Sequence, residues 1–280
     1  MDLGLLSVEI TRKCNLKCSY CCRGKAENVN IDYRYIDSLL DQIDSIHSLT
    51  FTGGEPSLNV PAMQYFIDES KRKRVRIDYV LIVTNGINIK QDFIDVCIDI
   101  SKIANISVYL SDDDYHTSQR LYDDSLLKVL PFYKKRSVHW KRTLVLKEGR
   151  GSSLPIYGYI PIANPFASYR CFNSRIHFFT LTAYGDVING TEFSYDNQHK
   201  HKLCNVEDLH KFYNFLNQQK MANNRFVEEN WERLSETDKM YLLEKEREIQ
   251  NEWMQWEDEQ KRKPAKIVVN MPVVKEGIKR

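Results

Sequence analysis

The sequence predicts an α/β fold, a partial (β/α)6 TIM-like barrel with a small C-terminal β-hairpin plus helical extension, and three observations predict it. Strand-like and helical segments alternate without a break through the first half of the chain. Segments rich in glycine, cysteine and short polar residues fall where the strands end, which is where such folds hold their functional loops. After Cys171 the pattern changes to two short β-prone runs around a tight turn.

The first strand is residues 5–11, Leu-Leu-Ser-Val-Glu-Ile-Thr, with side chains alternating at period two. A helix at 33–43, a strand at 48–51, a helix at 60–71, a strand at 78–84, a helix at 91–102 and a strand at 105–111 follow. A helix over 119–133, shortened by Pro131, and a strand over 141–146 end the run. Strict alternation implies parallel strands joined by right-handed crossovers, and five or six such units make a barrel open on one side. The hairpin read from 171–190, turning at Gly185-Asp186, is expected to cover that side. From about residue 227 the chain is helical and charged, with Leu242, Ile249, Trp253 and Trp256 on one buried stripe. Pro264 stops this helix, and the apolar, β-prone stretch 267–274 suits either the protein's own sheet edge or a partner. The expected divisions are a core at 1–165, a hairpin and helix at 166–224, and a helical extension with an apolar tail at 225–280.

Composition sets bounds on function. The chain has 280 residues, enough for a large core, and a formal net charge of +2 with mixed signs, so no nucleic-acid partner is expected. The basic runs 71–74 and 134–136 lie near predicted helix ends, where cations complement the dipole. No apolar run approaches the length of a membrane span and no signal segment opens the chain, so a cytoplasmic protein is expected. Seven cysteines, an odd number without a pairing pattern, agree with a reducing compartment.

The chemistry concentrates in Cys14-Asn-Leu-Lys-Cys18-Ser-Tyr20-Cys21. Three thiolates at this spacing can ligate three irons of a cubane cluster and leave the fourth iron open, or form half of a zinc site whose other ligand lies elsewhere. Downstream, Gly53-Gly54-Glu55-Pro56 follows the second strand, Thr84-Asn85-Gly86 the third, and Ser111-Asp112-Asp113-Asp114-Tyr115-His116 the fourth. Taken singly, these read as a turn with an exposed acid, an Asn-Gly turn and a helix cap. Cys22 reads as a packed thiol and Cys97 as core, while His199, His201 and Cys204 have a loose metal-like spacing in a polar loop.

Taken in order on successive strand ends, these motifs resemble the radical S-adenosylmethionine (SAM) superfamily, whose hallmark is C-x3-C-x-aromatic-C with Tyr20 at the aromatic position. The resemblance implies that Cys14, Cys18 and Cys21 hold one 4Fe-4S cluster. It also implies that Gly53, Gly54, Glu55 and Pro56 hold the methionine amino group of SAM, Thr84 and Asn85 line its pocket, and Ser111 and Asp113 meet the ribose. Gly149-Arg150-Gly151 resembles a turn of one branch of the superfamily, which makes Arg150 a further SAM candidate. The stretch from Cys171 to Gly190 and the later Leu203-Cys204-Asn205-Val206 resemble a SPASM or twitch extension. That extension is degenerate here, because two leftover cysteines cannot build a four-thiolate auxiliary cluster. Cys171 is the weak catalytic candidate, a thiol that gives or takes a hydrogen atom, set against a structural cysteine.

The implied activity is reductive cleavage of SAM to a 5′-deoxyadenosyl radical that abstracts hydrogen from a substrate. The implied partners are a peptide, protein or small-molecule substrate and an electron donor such as flavodoxin or ferredoxin, with no nucleic acid and no membrane. A peptide or protein side chain ranks first as substrate, a small metabolite or nucleotide second, and a non-catalytic iron-sulfur or zinc protein third.

Overall fold

Strand β1, Asp2–Thr11, sits in the interior of the sheet and is buried on both faces. Its period-two alternation sends Leu6, Val8 and Ile10 into the apolar core and leaves Ser7, Glu9 and Thr11 buried on the opposite face. The computed structural model describes residues 1–87, 89–111, 124–135, 148–153, 178–190, 193–212 and 214. All of them belong to the first of two compact units, Met1–Met221, the second being Ala222–Arg280.

The helix α1, Tyr33–Leu40, leads to β2, Ser45–Gly53, and α2, Val60–Lys73, leads to β3, Arg76–Thr84. Next come α3, Gln91–Ser101, β4, Asn105–Leu110, and the short β5, Tyr133–Lys135. Asp32 caps α1 by accepting from the Arg34 N–H at 3.0 Å. Lys71, Arg72 and Lys73 occupy the last turn of α2, where their charge complements the dipole, and Arg74 ends that helix in the left-handed region at φ 60°. Ile36, Leu39, Met63, Phe66 and Phe93 from the helices pack on Val8, Leu49, Phe51 and Ile82 from the strands. Phe66 meets Phe51 edge to face, with ring centroids 5.5 Å apart. Each such buried ring stabilises the layer contact by about 1.5–3 kcal/mol.

Two further strands, β6, Phe178–Leu181, and β7, Asp186–Asn189, form the hairpin, and β8, Lys202–Asn205, follows it. The eight-stranded sheet has the order β5-β4-β3-β2-β1-β6-β7-β8. Pairing is parallel from β5 through β1 to β6 and antiparallel for β6–β7 and β7–β8. This is the mostly parallel α/β sheet of a partial barrel, as the alternation predicts.

Three expectations are corrected. The hairpin does not stand apart as a cover. Its first strand pairs with β1 in register, Leu6 against Phe179, and so extends the sheet. Residues 124–132 contain a short 3-10 turn at Leu127–Val129 rather than the end of a helix, because Pro131 cannot continue helical hydrogen bonding. Lys134 and Lys135 consequently lie in β5, not near a helix end. The predicted strand 141–146 and the stripe from Leu242 to Trp256 lie outside the described residues. No described helix is long and apolar enough to cross a membrane.

Candidate functional site

The carboxyl ends of β1, β2, β3 and β4 are tied together by direct hydrogen bonds. Beyond Thr11, the chain enters the cysteine loop, and the Gly53-Gly54-Glu55 turn closes against it: Gly54 N–H donates to the Thr11 carbonyl at 2.9 Å and Glu55 N–H to the Lys13 carbonyl at 2.8 Å. The two glycines are dictated by this approach. A Cβ on Gly53, whose φ is +130°, would lie 1.9 Å from the Thr11 carbonyl oxygen, and one on Gly54 would lie 2.1 Å from that of Lys13. The main chain just before Cys14 takes the room that the two missing side chains leave.

Glu55 is buried and its carboxylate is fully engaged. Oε1 accepts from the Thr84 hydroxyl at 2.6 Å and the Ser57 N–H at 3.1 Å, and Oε2 accepts from the Asn85 N–H at 2.8 Å. Burial pushes its pKa up and these three donors oppose the rise. The carboxylate thus caps the turn Pro56–Asn59 and clamps the end of β2 to the end of β3. Pro56, also buried, begins that turn. The Asn85 amide donates to Asn15 Oδ1 at 2.7 Å, linking β3 to the cysteine loop, while its carbonyl oxygen accepts from the Ile87 N–H at 2.9 Å. Ser111, just past β4, joins the rim through its N–H to the Thr84 carbonyl at 2.8 Å.

Cys14 and Cys21 are half-buried and Cys18 is buried, with Tyr20 half-buried between the last two. Burial raises the Cys14 pKa; the Leu16 N–H opposes this, and the nearby charges of Glu55 and Cys21 add to it. Arg150 holds the far side of the loop: its Nε donates to the Cys18 carbonyl at 2.8 Å and its N–H to the Cys21 carbonyl at 3.0 Å. Gly149 permits that docking at φ +54°, since a Cβ there would lie 2.5 Å from the Cys22 carbonyl oxygen. Arg150, predicted as a SAM contact, thus grips the cysteine loop through its backbone.

The structure therefore brings Cys14, Cys18, Cys21, Gly53, Gly54, Glu55, Thr84, Asn85, Ser111 and Arg150 to one rim. Asp113 and Cys171 lie outside the described residues. Among the described residues no group of three or more His, Cys, Asp and Glu converges on a single metal position. A cubane asks for something else, one thiolate for each of three separate irons. The donor set fits that demand, with three thiols on one loop whose main chain is fastened on both sides.

Sequence reasoning missed a second set of residues behind the loop. Glu9, wholly buried on β1, lies 3.4 Å from Arg12 Nε and 3.3 Å from an Arg23 terminal nitrogen. Gln198 completes the group, donating to Glu9 and accepting from Arg12. The available signal was a charged residue on an otherwise buried strand, with one arginine two residues before Cys14 and another two residues after Cys21.

The Radical SAM superfamily model matches residues 8–143. The chain is 32% identical over 66 residues to the uncharacterized protein MJ0907 of Methanocaldococcus jannaschii, covering 22% of this chain and 23% of that one. It is 34% identical over 96 residues to the GTP 3′,8-cyclase of Clostridium acetobutylicum, covering 32% of this chain and 30% of the cyclase. Both matches thus span less than a third of the relative's length. Among solved structures, native anSMEcpe with bound AdoMet and Cp18Cys peptide aligns with a TM-score of 0.50 at 18% identity, over 74% of this chain and 78% of that one, a likeness of fold.

Proposed function

We propose that this radical SAM superfamily enzyme abstracts hydrogen from a peptide or protein side chain, holding a 4Fe-4S cluster through Cys14, Cys18 and Cys21 and SAM along the rim from Gly53 to Ser111. The family implies both cofactors. When bound, the cluster supplies the electron that cleaves the SAM sulfonium to methionine and a 5′-deoxyadenosyl radical. The chain's own work is placement. Glu55 locks three strand ends in one register, so that Gly53, Gly54, Thr84 and Asn85 offer their polar groups from fixed positions. Arg150 fixes the cysteine loop from the opposite side. Asp113 completes the ribose contact in this reading, and Cys171 remains a candidate hydrogen-atom donor.

The observation that supports this best is the direct bonding of the Gly-Gly-Glu turn to both the cysteine loop and the Thr-Asn-Gly turn, three motifs distant in sequence. The peptide choice draws on the peptide bound by anSMEcpe, whose fold this chain shares. A nucleotide or small-metabolite substrate is the second reading, favoured by the partial match to a GTP 3′,8-cyclase. Anaerobic reconstitution with iron and sulfide, followed by reductant and SAM, should yield 5′-deoxyadenosine, and Cys18→Ala should abolish it. Stimulation by peptides supports the first reading and stimulation by nucleotides the second. A metal enclosed entirely by side chains, or no metal at all, defeats both.

A further inference from the structure

The Gly149-Arg150 turn that grips the cysteine loop is itself moored by the residue before it. Glu148, half-buried, accepts from the Ser194 N–H at 3.1 Å and from the Asn197 side-chain amide at 3.2 and 3.0 Å, one distance to each carboxylate oxygen. Burial raises the pKa of this carboxylate, but the Asn197 and Ser194 donors more than offset the rise and hold it below its usual range, so it is ionised at neutral pH. Its donors stand on a fixed base. Residues 194–198 form a tight turn, in which the N–H groups of Asn197 and Gln198 both donate to the Ser194 carbonyl, at 2.9 and 3.0 Å. Ser194 and Gln198 are buried, and the Gln198 amide donates to Glu9 in the interior of β1.

Three segments distant in sequence close a ring through these bonds. Arg150 donates to the Cys18 and Cys21 carbonyls at 2.8 and 3.0 Å, and Glu148 beside it holds residues 194–197. The third side joins that same turn to the loop: an Arg23 terminal nitrogen donates to the Phe193 carbonyl and the Tyr195 N–H to the Arg23 carbonyl, both at 3.1 Å. The two attachments to the loop differ in place. Arg23 lies two residues past Cys21 and fixes where the loop ends, whereas Arg150 reaches the main chain of two of the three cluster cysteines. An arginine gives up much rotamer freedom to make one bond. It holds the loop in a single place only when its own main chain is anchored, and Glu148 supplies an anchor one residue from Gly149.

We propose that Glu148 is a positioning residue for the cluster: it fixes the Gly149-Arg150 turn to residues 194–197, and through Arg150 it sets where the main chain of Cys18 and Cys21 stands. Two of the three thiols then keep the separation that ligating different irons demands, the usual service of groups that support metal ligands from behind. The segment between β7 and β8 thereby serves the cysteine loop of the barrel with hydrogen bonds and without a thiolate of its own.

This inference rests on the proposed function, and its test separates the two. Hydrogen exchange of the unloaded full-length chain, read by mass spectrometry, is paired with iron release from the reconstituted chain under a chelator. Glu148→Ala is expected to speed exchange over residues 14–24 as well as over 193–198, and to speed iron release about tenfold, the equivalent of one lost charged hydrogen bond. Acceleration confined to 193–198, with iron release as in wild type, overturns the inference, because Glu148 then serves only its own turn. Glu148→Ala combined with Arg150→Met should release iron no faster than the more severe single variant, since both cut the same tie; effects that multiply sink the route through Arg150. Asn197→Asp sets two carboxylates against each other and is expected to loosen the loop likewise. Adding Glu148→Gln restores a donor facing a carboxylate and should bring both readouts back toward wild type; a swap without recovery refutes the pairing. If wild type loads a cluster and cleaves SAM, any of these failures leaves the proposed function standing; if wild type binds no cluster, both fall.

Discussion

Replacing Gly54 by Ala should disconnect the cysteine loop from the sheet. The added Cβ would sit 2.1 Å from the Lys13 carbonyl oxygen, 2.6 Å from its carbon and 3.0 Å from the Arg12 carbonyl carbon, all main-chain atoms with no rotamer to escape into. Relief requires the loop to retreat, breaking the Glu55-to-Lys13 and Gly54-to-Thr11 hydrogen bonds. Overpacking of this kind costs about 1–3 kcal/mol, and each lost backbone hydrogen bond about 1 kcal/mol more. The sum, about 3–5 kcal/mol, is a large share of the ~5–15 kcal/mol that holds a typical domain folded. It corresponds to a fall in melting temperature on the order of 10 °C. The assay is thermal unfolding of the unloaded protein, with iron bound per chain after anaerobic reconstitution. Gly190→Ala is the control: unlike Gly54 it has a positive φ, +85°, and its Cβ meets only the edge of the Phe193 ring at 3.3 Å. Its expected cost is about 1 kcal/mol, the penalty of a left-handed residue. A Gly54→Ala protein that melts and loads iron like wild type would refute the claim that this glycine serves the cysteine loop.

Two more predictions follow from the same contacts. Glu55 has a raised folded-state pKa because burial outweighs its hydrogen bonds, so its contribution to stability is fully present below the unfolded carboxylate value, about 4.3, and declines as pH climbs through the raised folded value. Urea midpoints of wild type should therefore fall relative to Glu55→Gln as pH rises over that window, and a constant difference between the two proteins excludes the effect. Arg150→Met removes the Nε bond to the Cys18 carbonyl but keeps the main-chain bond to Cys21. About 1–2 kcal/mol is expected from the loss of a charged donor, read as weaker iron retention under chelator challenge, and unchanged retention would assign Arg150 another role.

The site is unevenly legible in the sequence for a physical reason. Cys14, Cys18, Cys21 and the Gly-Gly-Glu and Thr-Asn-Gly turns were legible because each is a short local pattern placed at a strand end by alternation alone. Their individual duties were not. Glu55 directs its oxygens to Thr84, Asn85 and Ser57, contacts that no local pattern in the sequence announces. Gly53 and Gly54 leave room for the main chain at Thr11 and Lys13, a proximity that exists only once β1 and β2 have paired.

By itself the sequence determined the alternating parallel architecture, the thiol loop and the order of motifs along the rim, because periods of two and 3.6 residues and fixed spacings are properties of neighbours in the chain. Only the tertiary structure decided that β6 joins the sheet beside β1, and that Gln198 reaches Glu9 across 189 residues. Such pairings are chosen by which buried groups find partners once the chain has closed on itself, and a buried charge reveals its partner only there.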